Sequence, residues 1–154
     1  MNEQLDPRGV RFAAAVTTVV LAVVLLTGSG VLAALQAVVF AIPVVAGMRY
    51  SPYGALYRTL LAPRLGPPAE REDAAPVRFS QAVGLVFAAV AAVGYLSGAT
   101  VLGIVATAFA LAAAFLNAAF GFCLGCEMYG LLGRVRTARQ TGGTASSTIP
   151  KSSR

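Results

Sequence analysis

Two thiols stand three positions apart, at Cys123 and Cys126, in the run Phe122-Cys123-Leu124-Gly125-Cys126-Glu127-Met128-Tyr129. Two residues between cysteines is the spacing of dithiol oxidoreductases and of half a zinc site. On a helix, positions three apart share a face, so both sulfurs can meet one partner. A metal is the weaker use of the pair. Two sulfurs make half a tetrahedral site, and the chain has no His to complete it. Only a homodimer pairing two such motifs would supply four sulfurs, so neither metal nor cofactor is expected. The absence of His also excludes Ser-His and Cys-His catalysis and His-ligated haem. A redox-active pair, a sulfur-carrying pair and two small inert packing residues remain open.

The surroundings bear on reactivity. Thioredoxin-type pairs open a helix, where the dipole favours thiolate. Here the pair follows a long apolar segment and Glu127 is adjacent, and both features disfavour thiolate. Two arrangements would offset them. Gly121 and Gly125 can break the helix so that Cys126 opens a new one, or Arg49 can bring positive charge from a matching position elsewhere. The expected site is therefore Cys123 and Cys126, modulated by Arg49 and Glu127.

The elements that must carry this site are apolar. Of 154 residues, 57% are hydrophobic and only 12% charged, about half the charge of a soluble domain. Four stretches lack any charge: about 12–27, 31–47, 79–96 and 101–122. Each is long enough to cross a bilayer as a helix, the form that satisfies its own backbone in lipid. Pro43 should kink or shorten the second. Gly28-Ser29-Gly30 and Ser97-Gly98-Ala99-Thr100 are hairpin turns. Residues 48–78 form a polar cytoplasmic loop, in which Tyr53–Leu61 has the spacing of a helix lying along the inner leaflet. Residues 1–136 are read as one membrane domain and 137–154 as a disordered cytoplasmic tail.

All 12 basic residues fall before the first stretch, in the central loop or after the fourth. The positive-inside rule then places both termini and the thiols on the cytoplasmic side of the membrane. In that reducing compartment a permanent disulfide is not expected. The net charge of +6 is explained by the membrane and calls for no nucleic acid. The first stretch is expected to stay as a helix rather than be cleaved as a leader.

The chain also repeats itself. Asp6-x-x-x-Val10-Arg11-Phe12 recurs as Asp73-x-x-x-Val77-Arg78-Phe79, and Tyr53-Gly54-x-Leu56-x-Arg58 recurs as Tyr129-Gly130-x-Leu132-x-Arg134. The expected fold is all-α: a four-helix transmembrane bundle made of two parallel-repeat hairpins, related by an axis along the membrane normal. Asp6 before Pro7, and Asp73 before Pro76, should cap the entry helices. Anchored on Tyr53 and Tyr129, Cys126 aligns with Tyr50 and Cys123 with Gly47, so the first copy lacks thiols.

Polar residues inside the stretches are Thr17, Thr18, Gln36, Gln81, Thr107 and Asn117. None ionises, which argues against an ion-coupled carrier. Asn117 is expected to bridge two helices, and the small residues Ala114, Ala118, Gly121 and Gly125 to allow close helix contact.

Asp6-Pro7-Arg8, Arg49-Tyr50-Ser51-Pro52-Tyr53-Gly54 and the run from Asn117 to Tyr129 together resemble a bacterial membrane family of uncharacterised function, domain of unknown function 4395. The resemblance covers roughly Asp6 to Arg134, with Cys-Leu-Gly-Cys-Glu-Met-Tyr its most specific part. It implies the company of thioredoxin-like or sulfur-transfer proteins. The layout is also similar to the DoxX-like group and to vitamin K epoxide reductase relatives. The latter, however, place their thiols toward the outer face and add a shuttle pair. The expected function is a membrane dithiol protein exchanging electrons or sulfur with a cytosolic thioredoxin-like or rhodanese-like partner. One alternative is a non-catalytic subunit of a larger complex. Another is a permease for a small sulfur species, which would need a homo-oligomer.

Overall fold

A computed structural model describes residues 3–141, and the described chain is helical apart from one two-stranded ribbon. The order is β1 (Gln4–Leu5), α1 (Pro7–Thr27), α2 (Gly30–Ala46), a 3-10 turn (Met48–Tyr50), α3 (Pro52–Leu60), α4 (Ala62–Leu65), β2 (Glu72–Asp73), α5 (Ala74–Leu96), α6 (Thr100–Phe120) and α7 (Leu124–Thr141).

Helices α1, α5 and α6 are long and apolar enough to cross a membrane. The apolar α2 has 17 residues, about 25 Å of helix against a hydrocarbon core of about 30 Å. Entry helices start earlier than hydropathy suggests, at Pro7 rather than 12 and at Ala74 rather than 79. The reason lies in their caps. The Asp6 carboxylate accepts from the Arg8 N–H at 2.9 Å, with Pro7 fixing the first turn. Asp73 holds the same position but makes no side-chain cap. Instead the Ala74 N–H donates to the Glu3 carbonyl at 2.8 Å.

Packing is crosswise. Helix α2 lies along α5 and α1 along α6, while α3 rests on α1 and α7 on α5. The interface is built from small side chains: Val24, Ala33, Ala91, Ala92 and Ala106 form its buried centre. Gly94 makes the α5–α6 approach possible, since a Cβ there would stand 2.6 Å from the Gly103 nitrogen. Large residues such as Leu26, Val31, Val86, Val101 and Phe109 face outward. Small inside and large outside is the pattern of helices whose surroundings are lipid.

The two lead-ins touch each other and reach across the molecule. β1 pairs antiparallel with β2, Leu5 opposite Glu72. The Arg11 guanidinium donates to the Ala118 carbonyl near the end of α6, at 3.4 Å. The Arg78 guanidinium donates to the Val44 carbonyl near the end of α2, at 2.9 Å from Nε. Each arginine thus satisfies a carbonyl that its helix end leaves exposed. The chain after Tyr129 is not the tail expected from Thr137, because α7 continues to Thr141. The remainder of that tail lies outside the described residues.

Candidate functional site

The sequence places the thiols after a helix, and the structure places them at the start of another. Helix α6 stops at Phe120 because Gly121 adopts φ 67°, a left-handed conformation suited to glycine, and returns its N–H to Asn117. Two residues later α7 begins. The Cys123 carbonyl accepts the Glu127 N–H at 3.0 Å, the first bond of the new helix. The Cys123 sulfur accepts the Cys126 N–H at 3.3 Å. Cys123 is therefore the residue that caps α7, with Cys126 three positions inside it. Gly121 breaks the helix as one expected arrangement required, but Gly125 does not, and the thiol at the opening is Cys123 rather than Cys126.

Gly125 has another task. A Cβ on it would stand 2.4 Å from the Ser80 Cβ and 2.6 Å from the Ser80 Cα. Only glycine lets the first turn of α7 seat directly on α5 beside Ser80, whose hydroxyl donates to the Val77 carbonyl at 2.8 Å and lies near enough to the Cys123 sulfur to favour its charge. Cys126 also packs with Met48, Ala74 and Val77. Both cysteines are free thiols and half-buried.

The environments of the two sulfurs are opposed. The Cys123 thiol is pulled down to about 6, first because the Cys126 S–H donates to it. Burial works against this fall, while the Cys126 N–H, the Ser80 hydroxyl and the Gly125 N–H assist it. Cys126 is pushed well above the usual thiol range, chiefly because its proton is held by the Cys123 sulfur. Burial and the negative charge of Cys123, Glu72 and Glu127 add to that. The charge of the pair is thus favoured on Cys123, and the proton on Cys126.

The modulators named from sequence divide. Glu127 lies near Cys126, where its charge adds to the rise of that thiol. Arg49 points elsewhere: its guanidinium donates to the Tyr50 hydroxyl at 2.6 Å and sits 4.6 Å from that ring. Ser80 and Glu72 were not foreseen. Glycine at position 125 was the available signal for a close neighbour, but a single sequence does not say which helix supplies it.

Contacts also revise the alignment of the two Tyr-Gly segments. Phe79 meets Tyr129 with ring centroids 5.9 Å apart, and Phe12 meets Tyr57 at the same 5.9 Å. Tyr129 therefore corresponds to Tyr57, not Tyr53. In that register Cys123 corresponds to Ser51, not Gly47. The Ser51 hydroxyl accepts the Gly54 N–H at 3.3 Å, as the Cys123 sulfur accepts that of Cys126. The reason for the slip is the connection: a 3-10 turn, Met48–Tyr50, separates α2 from α3 and has no equivalent before α7.

Above the Cys123 sulfur a cavity of about 230 Å³ extends between α1, α5 and α6, with mostly apolar walls that include Phe87 and Phe109. Thr17, Gln81 and Asn117 also face it. Among the described residues no cluster of side chains suited to a metal ion occurs.

No curated protein and no solved structure matches the chain. The family described as Domain of unknown function (DUF4395) matches residues 5–134, a span that contains both thiols, their Ser80 and Glu72 neighbours and all but the end of α7. The chain belongs to that family.

Proposed function

We propose that this chain is a membrane dithiol protein that exchanges electrons with a cytosolic thioredoxin-like partner, with Cys123 as nucleophile and Cys126 as resolving thiol. The observation that carries the reading is the cap: the Cys126 N–H donates to the Cys123 sulfur where α7 begins. A helix N-terminus stabilises negative charge there. In the oxidising direction, the Cys123 thiolate attacks a sulfur of the partner's disulfide. One S–S bond breaks, a mixed disulfide forms, and the partner's released thiolate takes a proton. Cys126 then gives up its proton and attacks the Cys123 sulfur, the mixed disulfide breaks, and the partner's second sulfur leaves as a thiolate that takes that proton. The products are a Cys123–Cys126 disulfide and a reduced partner, so two electrons and two protons have moved. The steps also run in reverse. Sulfur transfer from a rhodanese-like donor would use the same nucleophile.

The reading includes an orientation and a history. Four spans, with α2 as the short one, set both termini and the thiols on the cytoplasmic side of the inner membrane. The basic residues support this: all 12 lie outside the apolar stretches, at one end of them. Two hairpins related by duplication are supported by matched contacts: Arg11 to Ala118 against Arg78 to Val44, Phe12 with Tyr57 against Phe79 with Tyr129, and the Ser51 cap against the Cys123 cap. On this view the thiol occupies a position that already carried a capping oxygen.

The test is a trap. Cells carrying Cys126→Ala are quenched with acid and alkylated, and species disulfide-linked to Cys123 are identified. A thioredoxin-like protein attached through its own active cysteine is the expected result. A Cys123 that stays entirely free, with Cys123→Ala and wild type indistinguishable, would leave assembly subunit as the better reading.

A further inference from the structure

We infer that the cavity above Cys123 is a binding site for a lipid-soluble quinone, which exchanges two electrons with the Cys123–Cys126 pair. The inference rests on the dithiol reading above and adds to it the second electron carrier.

Three polar side chains carry the argument. Thr17 of α1 is only 5% exposed and lines the cavity. Gln81 of α5 and Asn117 of α6 line it too and are half-buried. Among the described residues none of the three side chains has a hydrogen-bond partner. Asn117 therefore does not bridge helices as its type and position led one to expect. A polar group that lacks a partner in an apolar surrounding costs free energy. These three groups, from three helices, line one space, and a ligand there would supply the partners they lack.

The ligand's chemistry follows from the walls. The rest of the lining is apolar and partly aromatic, and Phe109, 63% exposed, stands beside Phe87 with ring centroids 6.2 Å apart. That outward-facing aromatic edge opens the cavity to the lipid phase. The occupant is thus a flat, apolar molecule that arrives through the bilayer and carries hydrogen-bond acceptors on separated edges. The Cys123 sulfur forms part of the same wall. A quinone fits all of these conditions, since its two carbonyl oxygens accept from hydroxyl and amide donors and its ring accepts two electrons. The Cys123 thiolate adds to a ring carbon, forming a C–S bond. Cys126 loses its proton and attacks the Cys123 sulfur, and the C–S bond breaks with its electron pair returning to the ring. The quinone oxygens take the Cys126 proton and one from water. Quinone becomes quinol as the dithiol becomes a disulfide.

The probe is a benzoquinone with a decyl tail, added to the purified full chain in detergent. Binding is measured on the Cys123→Ser, Cys126→Ser double variant, so that no chemistry intervenes. Adding Thr17→Val, Gln81→Leu or Asn117→Leu should each weaken binding by about five- to tenfold. Thermal melting of each variant confirms that the fold is retained. Reduced wild type, under anaerobic conditions, should yield one quinol per protein with loss of both alkylatable thiols. Binding that is absent, that survives all three substitutions, or that decylbenzene matches would overturn the quinone site. Parallel reaction with a thioredoxin-like disulfide separates the two readings. Disulfide exchange without quinone binding sinks this inference alone. Quinone binding with a Cys123 inert to both oxidants sinks the dithiol reading, and the electron transfer with it.

Discussion

Removing the Cys126 side chain tests the electrostatics of the pair directly. In the wild type the Cys123 ionisation falls from an ordinary 9.0 to about 6, and the Cys126 S–H is the largest cause. Cys126→Ala removes that donor but leaves the backbone N–H of residue 126. If the S–H accounts for half of the fall, the midpoint moves to about 7.5. Thiolate at pH 7 then drops from about nine-tenths to about a quarter, by the ordinary titration curve. The more basic thiolate is, however, about fivefold more nucleophilic for a Brønsted coefficient of 0.4–0.5. The two effects nearly cancel, so a single alkylation rate at pH 7 is a poor assay. The informative measurement is a pH series from 5 to 10 in detergent, with the alkylated cysteine assigned by mass spectrometry. Wild-type Cys123 should accelerate as pH rises through about 6 and level off above it. Cys126→Ala should level off one to two pH units later, with a higher plateau. A wild-type midpoint near 8.5 or above, unmoved by the substitution, would show that neither cap nor partner thiol acts on Cys123.

Other expectations are local. Gly125→Ala should force α7 off Ser80 and lower the melting temperature by several degrees, whereas Gly130→Ala, with nothing within 4 Å of the added Cβ, should be neutral or slightly stabilising. Glu72→Gln and Glu127→Gln should each lower the Cys126 ionisation while leaving the Cys123 midpoint near its wild-type value, and Arg49→Ala should move neither thiol. Alkylation of the two cysteines, read separately by mass spectrometry, decides both points. A periplasm-active reporter fused after Arg154 should stay silent, and activity there would refute the proposed orientation.

Hydropathy was a good guide to where the long helices run, because an unbroken apolar stretch has few other uses. It was a poor guide to where they begin. Pro7, Arg8 and Arg11 are helical but lie outside the apolar run, and only the Asp6 cap betrays them. The thiol spacing was legible, yet its electrostatic sense was not. That depended on the backbone sign of φ at Gly121, which turned an expected helix end into a helix beginning. For the proposed repeat, letters and contacts give different registers. Tyr-Gly-x-Leu-x-Arg matches well in sequence, but the rings that meet Phe12 and Phe79 belong to Tyr57 and Tyr129. Arg49 was chosen for its charge and its position in the register of the letters, and its guanidinium is engaged by Tyr50.

The cap that Cys123 provides has a mechanical side. The sulfur holds the Cys126 N–H most firmly while it carries charge, since a charged acceptor makes the stronger bond. Joined to Cys126 in a disulfide, as the proposed exchange requires, it would be neutral and a weak acceptor, and a covalent link would take the place of the hydrogen bond across the same turn. The same helix carries Arg134, Arg136 and Arg139 outward on exposed positions. On the proposed dithiol reading, the state of two half-buried sulfurs would decide whether the root of this basic helix is held by a hydrogen bond or by a covalent link.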